Sequence, residues 1–173
     1  MAIVFASGTQ TDVPNVLAAR IAANNQTSME FNVPSGVYKI EMIFDALSNN
    51  SGSPIGCQVG DSVSFKTSGY EYVSNYLHSN TGSTRYTGGF ITRWEDSDAR
   101  RTGCMTLWNT TGNIWVAEHT WGNINSVGGT VGCSVGGGRT DLGSSVLTRV
   151  RFISENLSST FDGGYGQVNL FYE

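Results

Sequence analysis

Residues 147–172 read LTRVRFISENLSSTFDGGYGQVNLFY, two runs of alternating side chains joined by a loop of serine and glycine. In the first run Val146, Thr148, Val150 and Phe152 alternate with Leu147, Arg149, Arg151 and Ile153, so one face suits a core and the other carries two arginines between apolar flanks. In the second, Val168, Leu170 and Tyr172 form one face and Gln167, Asn169 and Phe171 the other. A period of two is the signature of β-strand. Phe161 in the connecting loop is expected to tuck inward, and Gly163 and Gly164 to turn the chain. Strands with apolar residues on both faces belong in the interior of a sandwich or at a subunit contact. The last strand is therefore expected to be a structural element that closes the fold without a tail after Glu173.

The same pattern runs back through the chain. From Tyr38 the sequence YKIEMIFDAL places Tyr38, Ile40, Met42 and Phe44 on one face and Lys39, Glu41, Ile43 and Asp45 on the other, which predicts a strand with one buried face. The turn NVPSG precedes it, with a shorter apolar piece around Met29, Phe31 and Val33 before that. Further strands are expected over residues 55–59, 70–77, 89–94, 104–108, 114–120, 146–153 and 167–172, each bounded by Gly, Ser, Asn or Asp. Residues 105–108 and 114–117, joined through NTTGN, form the clearest hairpin, because Gly112 and Asn113 can take the positive φ of a tight reversal. Short strands at this spacing predict an all-β, antiparallel β-sandwich of jelly-roll type.

Two segments depart from it. Residues 12–24, DVPNVLAARIAAN, offer an N-cap in Asp12, a first-turn proline and four alanines, which favours one short N-terminal helix, with a strand as the alternative. Residues 122–143 are so dense in glycine that an irregular loop or a weakly paired edge strand is expected in preference to core, and a place where another backbone approaches closely.

The 173 residues fit one domain. Its sandwich is expected over residues 29–173, after an N-terminal attachment or arm segment, residues 1–28. Charged residues are only 14% of the chain and the net charge is −4 with no block of one sign, so it lacks the basic face that a nucleic-acid partner requires. Glycine, at 22 residues, stands at roughly twice its usual share while proline is only 3, the balance of a turn-rich fold. The N-terminus shows no basic region followed by an apolar run, and no stretch has the length of a membrane span, so neither secretion nor membrane insertion is expected. Cys57, Cys104 and Cys133 are odd in number and widely spaced, which predicts reduced, buried thiols and no metal site. The Asn-x-Ser/Thr sequons at Asn25, Asn49, Asn109 and Asn156 are the chance product of this composition.

No catalytic constellation emerges. His78 and His119 have serines around them but no GxSxG elbow. Glu95, Asp96 and Asp98 lack calcium-loop spacing and run into Arg100 and Arg101, as a solvated turn does. The runs GGTVG and GGGRTD have neither the GK[ST] ending nor a following helix of a phosphate loop. Paired carboxylates for glycoside hydrolysis have no counterpart legible here. No enzyme activity, cofactor or metal is expected. The aromatics are more informative. Met105, Leu107 and Trp115 alternate with polar neighbours and are expected to be buried. Trp94 and Trp121 abut polar or glycine-rich loops, and with Tyr70, Tyr72 and Asp96 they are the candidates for stacking on a sugar and bonding its hydroxyls; an oligomer interface is the equal alternative. Arg149, Arg151 and Phe171 are the candidates for an oligomer or virion contact.

The order of FNVPSGVYKIEMIF, PIGCQVGD, TSGYEYVSNYL, GGFITRW, MTLWNTTGNIWV, LTRVRFISEN and TFDGGYGQVNLFYE resembles the C-terminal β-sandwich module of tailed-bacteriophage tail-fibre and other virion surface proteins. The resemblance spans residues 29–173. Its most specific pieces are VPSGVYKIEMIF, QVGDS with the following SGY, and the terminal pair LTRVRF and TFDGGYGQVNLFYE. It implies a non-enzymatic homotrimer displayed on the virion, made and assembled in the host cytoplasm, with other virion proteins of the tail or capsid as partners. A knob of tail-fibre or adhesin type touching host-surface glycans is the leading expectation. A capsid decoration protein or head fibre is the first alternative, and a free carbohydrate-binding lectin the second. With only 28 residues before the match there is no long shaft, so the anchor is expected within those residues.

Overall fold

The alternating runs pair into two antiparallel sheets. The structure, a computed structural model, describes residues 16–77, 82–92, 99–125, 131–164 and 166–173. In chain order the strands are β1 (Val16–Ala22), β2 (Ser28–Asn32), β3 (Lys39–Leu47), β4 (Ile55–Gly60), β5 (Tyr70–Leu77), β6 (Gly82–Tyr86), β7 (Phe90–Ile91), β8 (Ala99–Thr111), β9 (Ile114–Asn125), β10 (Val131–Asp141), β11 (Arg149–Ser154) and β12 (Gln167–Tyr172). One sheet has the order β1-β12-β3-β8-β9-β10-β5-β6 and the other β2-β11-β4-β7. The halves β1-β12-β3-β8 and β2-β11-β4-β7 have the strand order of a jelly roll, and the hairpins β5–β6 and β9–β10 widen the first sheet beyond it.

The core lies between the sheets. Ile40, Met42 and Phe44 of β3, Met105 and Leu107 of β8, and Val168 and Leu170 of β12 point inward from the larger sheet, while Met29, Phe31, Val150 and Phe152 point inward from the smaller. The Phe44 and Phe152 rings meet across the gap with centroids 5.6 Å apart. Phe90, on short β7, stands edge-on to Tyr70 at 4.9 Å and near Tyr72 at 5.3 Å, so it closes the core beneath β5. The β8–β9 hairpin turns where expected, with Gly112 at φ +56° and Asn113 outside the left-handed region.

The quoted pair of runs occupies interior positions, as its two-sided apolar pattern requires. β11 lies between β2 and β4, and β12 between β1 and β3. The two belong to opposite sheets, and the loop between them buries Phe161 and pins Asp162 to Ser48. The alternation of the first run does not extend to Val146, which is half exposed, because regular pairing begins only at Arg149.

Several expectations are corrected. Val16–Ala22 is a strand, antiparallel to β12, and no helix occurs among the described residues. The alanines favour a helix locally, but Ala19 and Ile21 pack against the core from the sheet edge, and tertiary pairing overrides a weak propensity. The larger sheet thus reaches into the segment expected to be an arm; residues 1–15 lie outside the described residues. The glycine-rich stretch is not loop or edge. β10 is interior, bonded to β9 on one side and β5 on the other. Of the cysteines only Cys57 is fully buried; Cys104 and Cys133 are half buried, and all three are free thiols.

Candidate functional site

The aromatic residues proposed as a sugar platform are core residues. Trp121, Tyr70 and Tyr72 are 1%, 1% and 0% exposed. Their strands alternate inward at these positions, and adjacency to a polar loop in the sequence did not bring them to the surface. Tyr76 stacks on Trp121 and Arg101 stands over the same indole, while the Tyr70 hydroxyl accepts from Val59 N and donates to Lys66 O. Trp94 and Asp96 lie outside the described residues, as do His78, Glu95 and Asp98.

His119 sits in a sealed polar cluster. Its Nδ1 meets the Tyr72 hydroxyl and its Nε2 lies 2.9 Å from Ser134 Oγ, which is 3.0 Å from Ser74 Oγ. A serine beside an imidazole is the geometry of a nucleophile and its base, but a phenol holds the place of the orienting carboxylate. Ser74 and Ser134 are completely buried, and burial lowers the His119 pKa from 6.5 to about 4, so the ring is neutral at pH 7. The cluster fills inward polar positions of β5, β9 and β10, where its members satisfy one another.

The candidates for oligomer or virion contact fall on two surfaces. On the outer face of the smaller sheet, Arg149 and Arg151 stand 4.6 and 4.2 Å from the centroid of Phe65, so both guanidinium groups share one ring. Arg149 Nε donates to Asp61 O at 2.7 Å, and Arg151 donates from Nε and Nη2 to Gln58 Oε1 at 3.0 and 2.7 Å. These arginines are held in an internal lattice. Phe65→Ala is expected to lower stability by about 1–2 kcal/mol, two cation–π contacts at partly exposed sites, and chemical denaturation checks this.

Phe171 instead faces outward from β12 on the larger sheet. It pairs with Glu41, and the row continues through Thr106, Glu118, Gly137 and Val73 to Arg85. The adjacent row carries Ile43, Cys104, Thr120 and Val135. Ile43, Val73, Leu77 and Val135 are each about two-fifths exposed or more, so this broad sheet presents aliphatic side chains on its solvent side. Lys39 pairs with Glu173 at 2.9 Å and Arg139 with Glu71 at 2.9 Å. Besides those pairs the outward positions carry Glu41 and Asp45 on β3, Arg100 on β8, Glu118 on β9 and Arg85 on the β6 edge, charges of both signs spread across the face.

Clefts open at the ends and flanks of the sandwich, and two of them bear on function. The first, about 330 Å³, lies at the β6 and β7 edges over a small apolar cluster of Tyr86, Ile91 and Ile153, with Arg85 and Glu155 on its walls. Desolvation raises the Glu155 pKa above the usual carboxylate value. The second, about 240 Å³, lies between the β2–β3 turn, the tip of the β8–β9 hairpin and the approach to β11. Tyr38 and Val146, 48% and 50% exposed, stand on its rim, Asn109 and Asn113 supply amides, and Trp115 is its buried wall. Trp115 is buried as expected. Tyr38, expected on the buried face of β3, is instead half exposed at the end of that strand, with its hydroxyl donating to Glu173 Oε2 at 3.0 Å. Its place two residues after the turn VPSG, like the reversal at Gly112 and Asn113, was a sequence signal for this site.

Among the described residues no group of three metal-ligating side chains occurs, and no helix is long and apolar enough to cross a membrane. Comparison with protein-family models finds no match to this chain, and neither does a search of curated proteins.

Proposed function

We propose that this chain is a non-enzymatic structural protein of a tailed-phage virion, a surface-exposed jelly-roll knob of tail-fibre or adhesin type that assembles as a homotrimer and touches host-surface glycans. The observation that carries the reading is the outer face of the eight-stranded sheet. An antiparallel sheet that meets water on one side is expected to turn polar residues there. This one turns out Ile43, Val73, Leu77 and Val135. A second copy laid on that face buries them. The face carries charges of both signs, Glu41, Asp45 and Glu118 with Arg100 and Arg85 among them, and contact between unlike patches of successive copies forms a ring where the rotation closes. The jelly-roll strand order supports the same reading at the level of fold alone.

Solution mass is the first test. The full chain is expected to run as a trimer at micromolar concentration, and Val73→Asp combined with Val135→Asp to shift it to monomer while leaving the circular dichroism unchanged. A wild-type monomer overturns the trimer. Imaging of intact particles with labelled protein tests the virion assignment. Density at the tail tip supports it, density on the shell moves it to a capsid decoration protein or head fibre, and density on neither overturns it. Deletion of residues 1–15, which spares β1, is expected to abolish attachment.

A further inference from the structure

We propose that the cleft between the β2–β3 turn and the β8–β9 hairpin is a binding site for one neutral pyranose ring, a single residue of a longer glycan. The inference rests on the glycan-contact part of the proposed function and gives it a location.

The chemistry of the walls selects the ligand. No charged side chain lines the cleft, in contrast to the larger one beside Arg85 and Glu155, so neither a phosphate nor an acidic or basic group has a partner there. A volume of about 240 Å³ is below the roughly 300–1,000 Å³ of pockets that enclose drug-sized ligands, which limits the occupant to about one ring. The rim is apolar on two sides, Tyr38 and Val146, each about half exposed. A pyranose has the complementary character, a face of C–H groups and an equator of hydroxyls.

The polar groups are prearranged for those hydroxyls. Asn109 Nδ2 donates to Gly112 O at 3.0 Å and Asn113 Nδ2 to Gly143 O at 2.7 Å. Each amide is therefore fixed through one of its two N–H donors, which leaves the second N–H and Oδ1 for a ligand hydroxyl. Trp115 forms the buried wall behind them. Its side chain is 98% buried, and its indole Nε1–H finds no acceptor among the described residues. The Trp121 indole is in the same state, so the unpaired N–H marks Trp115 as a dry wall that a bound ring covers and does not bond. The backbone holds these parts together: Asn109 N donates to Tyr38 O at 2.8 Å, Tyr38 N to Glu173 O at 2.9 Å, and Leu142 N to Asn113 O at 3.1 Å. Such rigidity limits the ordering that binding requires.

The test is a titration of isotope-labelled full chain with glucose, galactose, mannose and their short neutral oligomers, followed by nuclear magnetic resonance at the indole N–H signals. The Trp115 signal is expected to move and saturate in the millimolar range for at least one sugar, while that of Trp121, stacked under Tyr76, stays in place. Tyr38→Ala is expected to weaken the binding by about tenfold or more. Val146→Asp, at a half-exposed position that tolerates a polar side chain, gives an independent loss should Tyr38→Ala fail to fold. A Trp115 signal that no sugar moves at tens of millimolar overturns the site. Binding that both substitutions leave unchanged overturns it as well. Solution mass and particle imaging report on the virion reading independently, so a trimer on the particle with a silent cleft, or a sugar-binding monomer, tells the two failures apart.

Discussion

Replacement of Gly138 by alanine is expected to lower the unfolding free energy by about 3 kcal/mol, the upper end of the range for overpacking, and the melting temperature by roughly 6–12 °C. A Cβ at this position would stand 2.6 Å from the Tyr72 Cα and closer still to the Glu71 carbonyl oxygen. Both are main-chain atoms of β5, which is held in register with β10 from Tyr70 to Leu77, so neither can yield without breaking pairs. Gly136 is nearly as confined, with Val73 O at 2.7 Å from its would-be Cβ and the His119 ring also within contact. Gly137 is the control. Its Cβ would meet only Ala117 O, at 3.6 Å, an ordinary contact, so Gly137→Ala is expected to change stability by no more than about 0.5 kcal/mol. Thermal and denaturant unfolding of the three variants checks the alternation directly. Equal losses at 137 and 138 would contradict the packing described for β10.

Acidification is expected to remove about 3 kcal/mol of stability through His119 alone. The ring is buried neutral, with its pKa lowered from 6.5 to about 4 by desolvation. The unfolded chain takes up a proton below pH 6.5 that the folded chain refuses until about pH 4. The contribution is therefore complete above pH 6.5, declines as pH falls, and is gone below about 4, at about 1.4 kcal/mol for each pH unit between the two values. The paired or hydrogen-bonded carboxylates Asp61, Glu71 and Glu173 have lowered pKa values, so their losses fall in the more acidic range. Glu155, raised by desolvation, acts in the opposite sense and offsets part of the decline. Denaturant unfolding at a series of pH values from 7 to 4 measures the slope, and His119→Gln, which keeps a neutral hydrogen-bonding side chain, is expected to flatten it. A slope unchanged in that variant would assign the acid sensitivity to another group.

Both effects arise from the same place, the sheet β9-β10-β5, and along the chain only the close approach of another backbone was legible, in the run of glycines, without its partners. The run VGCSVGGGRTD has the composition of a loop. It becomes an interior strand because close main-chain approach from β5 and the His119 ring from β9 leave no room for side chains at Gly136 and Gly138. The residues that crowd it come from elements separated from it by much sequence, Glu71 and Tyr72 above all, and no local window contains both partners. The polar cluster of Tyr72, His119, Ser74 and Ser134 is assembled in the same way, from three strands whose inward positions coincide only after pairing.

What the amino-acid sequence determined by itself was whatever depends on the chain's own alternation. Strand Tyr70–Leu77 and strand Gln167–Tyr172 begin and end where the pattern of inward and outward side chains places them, the hairpin turns at Gly112, and the all-β sandwich follows from many such runs. Tertiary structure alone decided which strands became neighbours. It drew the alanine-rich segment Val16–Ala22 onto the edge of β12, sent β11 and β12 into opposite sheets, buried Trp121, Tyr70 and Tyr72, and gathered Tyr38, Asn109, Asn113 and Trp115 around one cleft. The physical reason is range. A two-residue period is imposed by the backbone of each strand, whereas partnership, burial and a site's membership are set by contacts between residues far apart in sequence.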